Sequence, residues 1–247
     1  MSIILSKRLK FFLVHLGVSC LLALIIMIWV FNIWYPSPLA IAVGVTKILL
    51  MMLVIDVIVG PLLGWLVYKE GKKTLKFDLS VIIILQISAF VYGLFSIEQG
   101  RPVWIAYNVD RFELVRKNEL ITEHLDQAKI LYQKASFLSP QYVSVEFAKD
   151  KLQRENDMFA EALGGISIAQ KPERYVDFTK ALPQIKKRAK SLNNLEQFND
   201  QKQVQKILTK YPQATGYMPL KANAVDMTVL VNKQTGEVVK IVDLRPW

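Results

Sequence analysis

Long apolar runs fill the first hundred residues, and shorter segments alternating between apolar and polar positions dominate the remainder. The sharpest run, Leu79 to Ile97, spans 19 residues with Gln86, Ser88 and Tyr92 among its polar interruptions. At about 1.5 Å per helical residue it matches a hydrocarbon core about 30 Å thick. Two more precede it, Phe11 to Phe31 and a span that starts near Leu39 and reaches Tyr68, most apolar from Ile48 to Val67. Pro36-Ser37-Pro38 marks a short turn between them, because proline fixes φ and discourages helix in the residue before it. The pattern predicts three transmembrane helices at about 11–31, 48–67 and 79–97, in a membrane domain of residues 1–98.

The first run could serve as a secretory signal, since Ala40-Ile41-Ala42 has the small-x-small form of a cleavage site. It is too long for that, bulky Trp34-Tyr35 intervene, and a second apolar stretch follows at once. Trp29, Trp34 and Tyr35 instead read as an interfacial aromatic belt.

From Arg101-Pro102 onward the period changes. Val103 to Tyr107 and Phe112 to Val115 read as two strands around a turn at Asn108 to Arg111, and Tyr142 to Phe147 as a third. A helix is expected from Asn118, with Ile121, Leu125, Ala128 and Tyr132 on one face. Another runs from about Asp150 to a stop at Gly164-Gly165. Phe178 to Leu195 and the segment from Asp200 to Tyr211 are amphipathic. Met227 to Val231 and Val238 to Leu244 flank the Asn232-Lys233-Gln234-Thr235-Gly236 turn of a closing hairpin. Residues 99–247 thus read as one α+β extracytoplasmic domain on a small antiparallel sheet.

Charge supplies the orientation. The first 100 residues hold eight Lys/Arg and four Asp/Glu, the remainder 23 and 17. Lys7, Arg8 and Lys10 precede the first span, and Lys69, Lys72, Lys73 and Lys76 crowd the loop before the third. By the positive-inside rule both are cytoplasmic, which puts the uncharged Trp34 to Pro38 turn and residues 99–247 outside. In a Gram-negative host the chain is then a multi-pass inner-membrane protein with a cytoplasmic N-terminus and a periplasmic C-terminal domain. The net charge of +10 is read as a topology signal, not as a nucleic-acid surface. Cys20 is the only cysteine, so no intramolecular disulfide is available.

Within the spans Asp56 stands out. An ionised carboxylate at mid-bilayer costs about 2.5–3.5 kcal/mol on insertion scales and calls for a partner or a proton. Lys47 is on the opposite helix face, whereas Gln86, Ser88 and Tyr92 lie at reachable depth on the next span. Three readings are open: a helix-packing polar cluster, a contact for a partner's transmembrane helix, or ion or proton conduction. Pro61 kinks the span, and Gly60 and Gly64 form a small-x-x-x-small face for close helix approach. That face serves either a guest helix or packing within the chain.

Catalytic chemistry finds little support. The only histidines are His15, near the inner end of the first span, and His124; neither has metal-ligand spacing or a nucleophile-base set around it. Asp110 and Glu113 flank Arg111, which suits a salt-bridged turn better than an acid/base pair. The sequence points away from an enzyme and implies no cofactor.

The ordered set Asp56, Gly60-Pro61, Leu75-Lys76-Phe77-Asp78-Leu79, Gln86, Tyr92-Gly93, Arg101-Pro102 and Asp110-Arg111-Phe112 resembles the type IV pilin accessory proteins of the TfpX/TfpZ kind. The closing Asp243-Leu244-Arg245-Pro246-Trp247 resembles that family's end too. The resemblance implies an inner-membrane assistant of type IV pilus biogenesis that handles, stabilises or presents a pilin. It implies as partners the major type IV pilin, and inner-membrane pilus assembly proteins if the protein acts on the machine. Pilins wait in that membrane on an apolar N-terminal helix with their heads outside. The expected partner-binding residues are Asp56, Gly60, Pro61, Gln86, Tyr92, Arg101, Asp110 and Arg111. The alternatives are tuning of pilus extension and retraction, or a signalling protein whose outer domain binds a ligand.

Overall fold

The computed structural model describes residues 6–247. They form two units, one of residues up to Ile33 together with Val45–Gln99, the other of Trp34–Gly44 together with Gly100–Trp247.

The first unit is helical. α1 (Lys7–Trp29) starts at Ser6, whose hydroxyl accepts from the Leu9 amide, and ends in a wider turn over Val30–Trp34. α3 (Val45–Val67) and α4 (Leu75–Gln99) follow. All three are long and apolar enough to cross a membrane, with mean hydropathy of 2.1 to 2.7 in their most apolar windows. α3 is the central helix, packed along both α1 and α4. Gly64 makes one approach possible, since a Cβ there would stand 2.8 Å from the Phe11 ring. The small-residue face of α3 therefore serves packing within the chain.

Between α1 and α3 lies α2 (Leu39–Val43), which belongs to the second unit. A second span starting near Leu39 was expected; instead the chain breaks at Gly44, whose φ of 81° ends α2 in the left-handed region that glycine enters without steric cost. Leu39 and Ala42 are buried in the core beside Met227 and Val229, and the Ala42 carbonyl accepts from the Ala224 and Val225 amides at 2.9 and 3.2 Å. Trp34 and Tyr35, expected in an interfacial belt, are 4% and 1% exposed in this unit. Apolar residues that look like an extension of a span are here the cover of a sheet.

That sheet is mixed and has seven strands, in the order β4-β3-β1-β2-β5-β6-β7, not small and antiparallel. β1 (Pro102–Asn108) and β2 (Arg111–Arg116) form the expected hairpin, closed by the Asn108–Arg111 pair. β3 (Gln141–Val145) runs parallel to β1, and β5 (Gly216–Lys221) parallel to β2. β4 (Tyr175–Val176) adds an antiparallel edge beside β3, and β6 (Met227–Val231) and β7 (Val238–Val242) extend the sheet antiparallel from β5, with β7 at the other edge. One face packs Ile105, Phe112, Leu220 and Val229 against Leu39 and Ile185; the other packs Trp104, Ala106 and Val143 against Tyr132 and Ala169. Two covered faces explain why every residue of β1 is buried.

The helix expected from Asn118 is replaced by short 3-10 turns at Lys117–Glu119 and Leu125–Gln127 and the single-turn α5 (Ile130–Gln133). Tertiary pairing overrides its periodicity: the Glu119 carboxylate accepts from the Arg116 amide, and the Ile121 amide donates to the Gln170 carbonyl. The run from Phe178 to Leu195 is α-helical only over α7 (Leu182–Arg188), with 3-10 turns at Phe178–Ala181 and Leu192–Gln197, because Lys190 is drawn out to pair with Tyr217 in both directions. α6 (Lys151–Gly164) and α8 (Gln201–Leu208) start at the side-chain caps Asp150 and Asp200, and α6 stops at a left-handed Gly165. α6 buries Asp157 and leaves Leu152, Phe159 and Leu163 exposed.

Candidate functional site

The helical unit contains a cleft of about 310 Å³, lined by Phe11, Val18 and Leu22 of α1, Leu53 and Asp56 of α3, and Ile83, Ile87 and Phe90 of α4, among others. Its walls are α1 and α4, which each lean on α3, and its floor is α3 itself.

A polar cluster crosses this apolar cleft. His15 Nε2 donates to Gln86 Oε1 at 2.9 Å, bridging α1 to α4. The Gln86 amide nitrogen donates to the Asp56 backbone carbonyl at 2.8 Å and to Ser19 Oγ at 3.4 Å. These two acceptors fix the orientation of the amide, so its oxygen accepts from the imidazole Nε2–H. Gln86 reaches this position because Gly60 has no side chain: a Cβ there would overlap the Gln86 amide.

Two atoms of the cluster are buried without a hydrogen-bond partner, His15 Nδ1 and Asp56 Oδ2. Each such group sheds about 1–3 kcal/mol of hydration free energy without replacement. Both atoms are closed off by the protein around them, His15 Nδ1 lying over Gly64 of α3, while the residues that carry them line the cleft.

The expected site residues separate into three groups. Asp56 and Gln86 meet, through the Asp56 backbone and not its carboxylate. Gly60 and Pro61 are buried within the helical unit, while Tyr92 is 73% exposed on α4 and not among the residues lining the cleft. Arg101, Asp110 and Arg111 belong to the second unit. Arg101 is buried and donates to the carbonyls of Ser136 and Leu138 at 2.7 and 3.3 Å. Asp110 sits exposed after Val109, whose φ of 58° is held by Tyr107 Oη and Arg188 both donating to its carbonyl. Arg111 pairs with the buried Glu113 at 3.0 Å, with Glu161 at 3.3 Å and with Asp110 at 3.8 Å, a salt-bridged turn extended to α6. The sequence reading missed His15 and Ser19. Their signal was spacing, since residues four apart share one helix face and both are polar in an otherwise apolar run.

Comparison with known proteins gives a consistent picture. Residues 4–44 match the family of the fimbrial assembly protein FimB. Over 231 residues the chain is 30% identical to the fimbrial assembly protein of serogroup I from Dichelobacter nodosus, covering 90% of this chain and 88% of that one. The serogroup E1 protein of the same organism is 28% identical over 89% of each chain. The shorter protein of serogroups C1 and C2 is 35% identical over 119 residues, 47% of this chain and 88% of that one. No solved structure matches.

Proposed function

Because this chain belongs to the fimbrial assembly protein family, we propose that its helical unit holds the apolar helix of a type IV pilin subunit in the cleft between α1 and α4 before assembly. The observation that carries this reading is the cleft itself. Its walls offer Val18, Leu22, Ile83 and Ile87 to a guest, and the polar residues His15, Asp56 and Gln86 interrupt that apolar lining. Lipid tails are as apolar as leucine, so a guest helix gains little from apolarity alone in a bilayer; shape and polar contacts select it. Asp56 is then the contact for a partner's span, and Gly60 acts from beneath by admitting Gln86.

In this reading the three helices span the inner membrane, the Lys69–Lys76 loop is cytoplasmic and the second unit is periplasmic. Trp34–Gly44 and Gly100–Trp247 fold as one unit, which fits a chain that crosses between them an even number of times. The second unit would then face the globular heads of pilins. The protein acts by binding and presenting, not by catalysis.

The test places photo-crosslinking residues at Val18, Leu22, Ile83 and Ile87, with Val54 and Ile84, exposed but outside the cleft, as controls. Adducts with the major pilin in living cells should concentrate at the first four. Equal yields at the controls, or no pilin adducts while piliation still depends on the protein, would redirect the search for its partner to the pilus machine.

A further inference from the structure

Four large apolar side chains cluster in sequence on the second unit between β2 and β3, and all point to solvent: Ile130 is 88% exposed, Leu131 70%, Phe137 57% and Leu138 54%. A water-facing domain gains nothing from such a segment. Its neighbours are not disordered. Tyr132 is buried against Trp104 and Tyr175 with ring centroids 6.0 and 5.9 Å away, so the middle of the segment is fastened to the core while Ile130 and Leu131 protrude.

Two residues that follow the long helices pin it. Trp34, the last residue of the helical stretch from Lys7, donates its indole N–H to the Phe137 carbonyl at 3.0 Å, and the two rings stack edge to face at 5.7 Å. Arg101, two residues past the end of α4, donates to the carbonyls of Ser136 and Leu138 and lies 5.8 Å over the Phe137 ring. Phe137 and Leu138 are thus held by two residues of the second unit that directly follow apolar helices in the chain. Lys129 and Lys134, both exposed, bracket the protruding Ile130 and Leu131.

We infer that residues 129–138 are a lipid anchor: Ile130, Leu131, Phe137 and Leu138 enter the acyl boundary of the leaflet from which the second unit emerges. Lys129 and Lys134 meet anionic lipid phosphates there. Apolar residues flanked by lysines are the composition that seats a segment in an interface plane, and long lysine side chains reach back to headgroups. The anchor fixes the tilt of the second unit on the membrane and with it the direction in which a held subunit is offered. The inference rests on the reading of the three helices as membrane spans.

The experiment uses the full chain in phosphatidylethanolamine–phosphatidylglycerol vesicles. Cys20, the free cysteine, is replaced by serine, and single cysteines at Ile130, Leu131, Leu21 of α1 and Lys202 of α8 carry an NBD fluorophore. Quenching by doxyl-labelled acyl chains and by aqueous iodide is read at each. The anchor requires positions 130 and 131 to be quenched by lipid as position 21 is and shielded from iodide. Iodide quenching equal to that at position 202, or shielding from both quenchers, overturns it. If position 21 is itself unquenched by lipid, the spanning reading falls and the anchor with it; if only 130 and 131 are unquenched, the anchor alone falls. Leu131→Gln should raise iodide quenching at position 130 in the anchored state and leave it unchanged otherwise.

Discussion

Gln86 lies across Gly60, its amide filling the space a Cβ would need, and from there it ties α1 to α3 and α4. Gly60→Ala must therefore push Gln86 away and break its bonds to His15 and Asp56. Forcing an added methyl into such a contact costs about 1–3 kcal/mol, against a helix-propensity gain of at most about 1 kcal/mol. The net expectation is a lower melting temperature in detergent. Gly17→Ala, where a Cβ meets nothing within 4 Å, should not lower it. Adding Gln86→Ala to Gly60→Ala should cost less than the two singles together, because residues in contact do not contribute additively. Strict additivity would mean that the amide is not where the glycine admits it.

Leu39 is 3% exposed in the sheet core, although it sits in the connection between two apolar helices. Leu39→Ala should cost the second unit about 2–5 kcal/mol, the range for emptying a buried leucine site. Hydrogen exchange on the full chain checks this: amides of β6 and β7 should exchange faster, while those of α3 keep their protection. Unchanged exchange in the sheet would reduce residues 34–44 to a plain turn.

The sequence made some of this legible and hid the rest for physical reasons. The three apolar helices, the β1–β2 hairpin, the helix starts near Asp150 and Asp200 and the closing hairpin are local features written in local pattern. α2 was hidden because Leu39, Ala40 and Ala42 are as apolar as the span that follows, and only Gly44 marks the break. β5 was hidden because Pro219 lacks the amide a central strand needs; its ladder to β2 is short, with only Phe112–Leu220 and Glu113–Lys221 in register. The parallel pairings of β1 with β3 and β2 with β5 leave no mark in either strand. At the cleft, Asp56, Gly60 and Gln86 were visible as residues out of place in an apolar run, but that Gln86 joins the Asp56 backbone and also recruits His15 depends on helix rotation.

Alkali should unfold the second unit through its tyrosines. Burial pushes Tyr107 and Tyr142 each up to about 12 from an ordinary value near 10. A group whose folded pKa is raised stabilises the fold fully below the unfolded pKa, and that contribution is lost as pH rises through the folded one. Stability should be level up to about pH 10 and fall between about 10 and 12. Tyrosinate absorbance should lag behind that of free tyrosine, and Tyr142→Phe should make the loss shallower. A loss of equal steepness in Tyr142→Phe would assign it elsewhere.

Asp157 inverts the usual logic of an amphipathic helix. α6 leaves Leu152, Phe159 and Leu163 exposed and is fastened to the unit by a buried carboxylate, which accepts from Lys171 at 2.6 Å and Arg174 at 3.0 Å. Removing one member of a buried ion cluster leaves the others uncompensated and costs about 3–5 kcal/mol. Asp157→Asn should therefore lower the denaturant midpoint markedly and speed amide exchange throughout α6. Leu163→Ala, at a position 85% exposed, should fall within about 0.5 kcal/mol of the parent, as surface substitutions do. The opposite ranking would show that the apolar face of α6 is covered in solution and that the carboxylate is not what holds the helix.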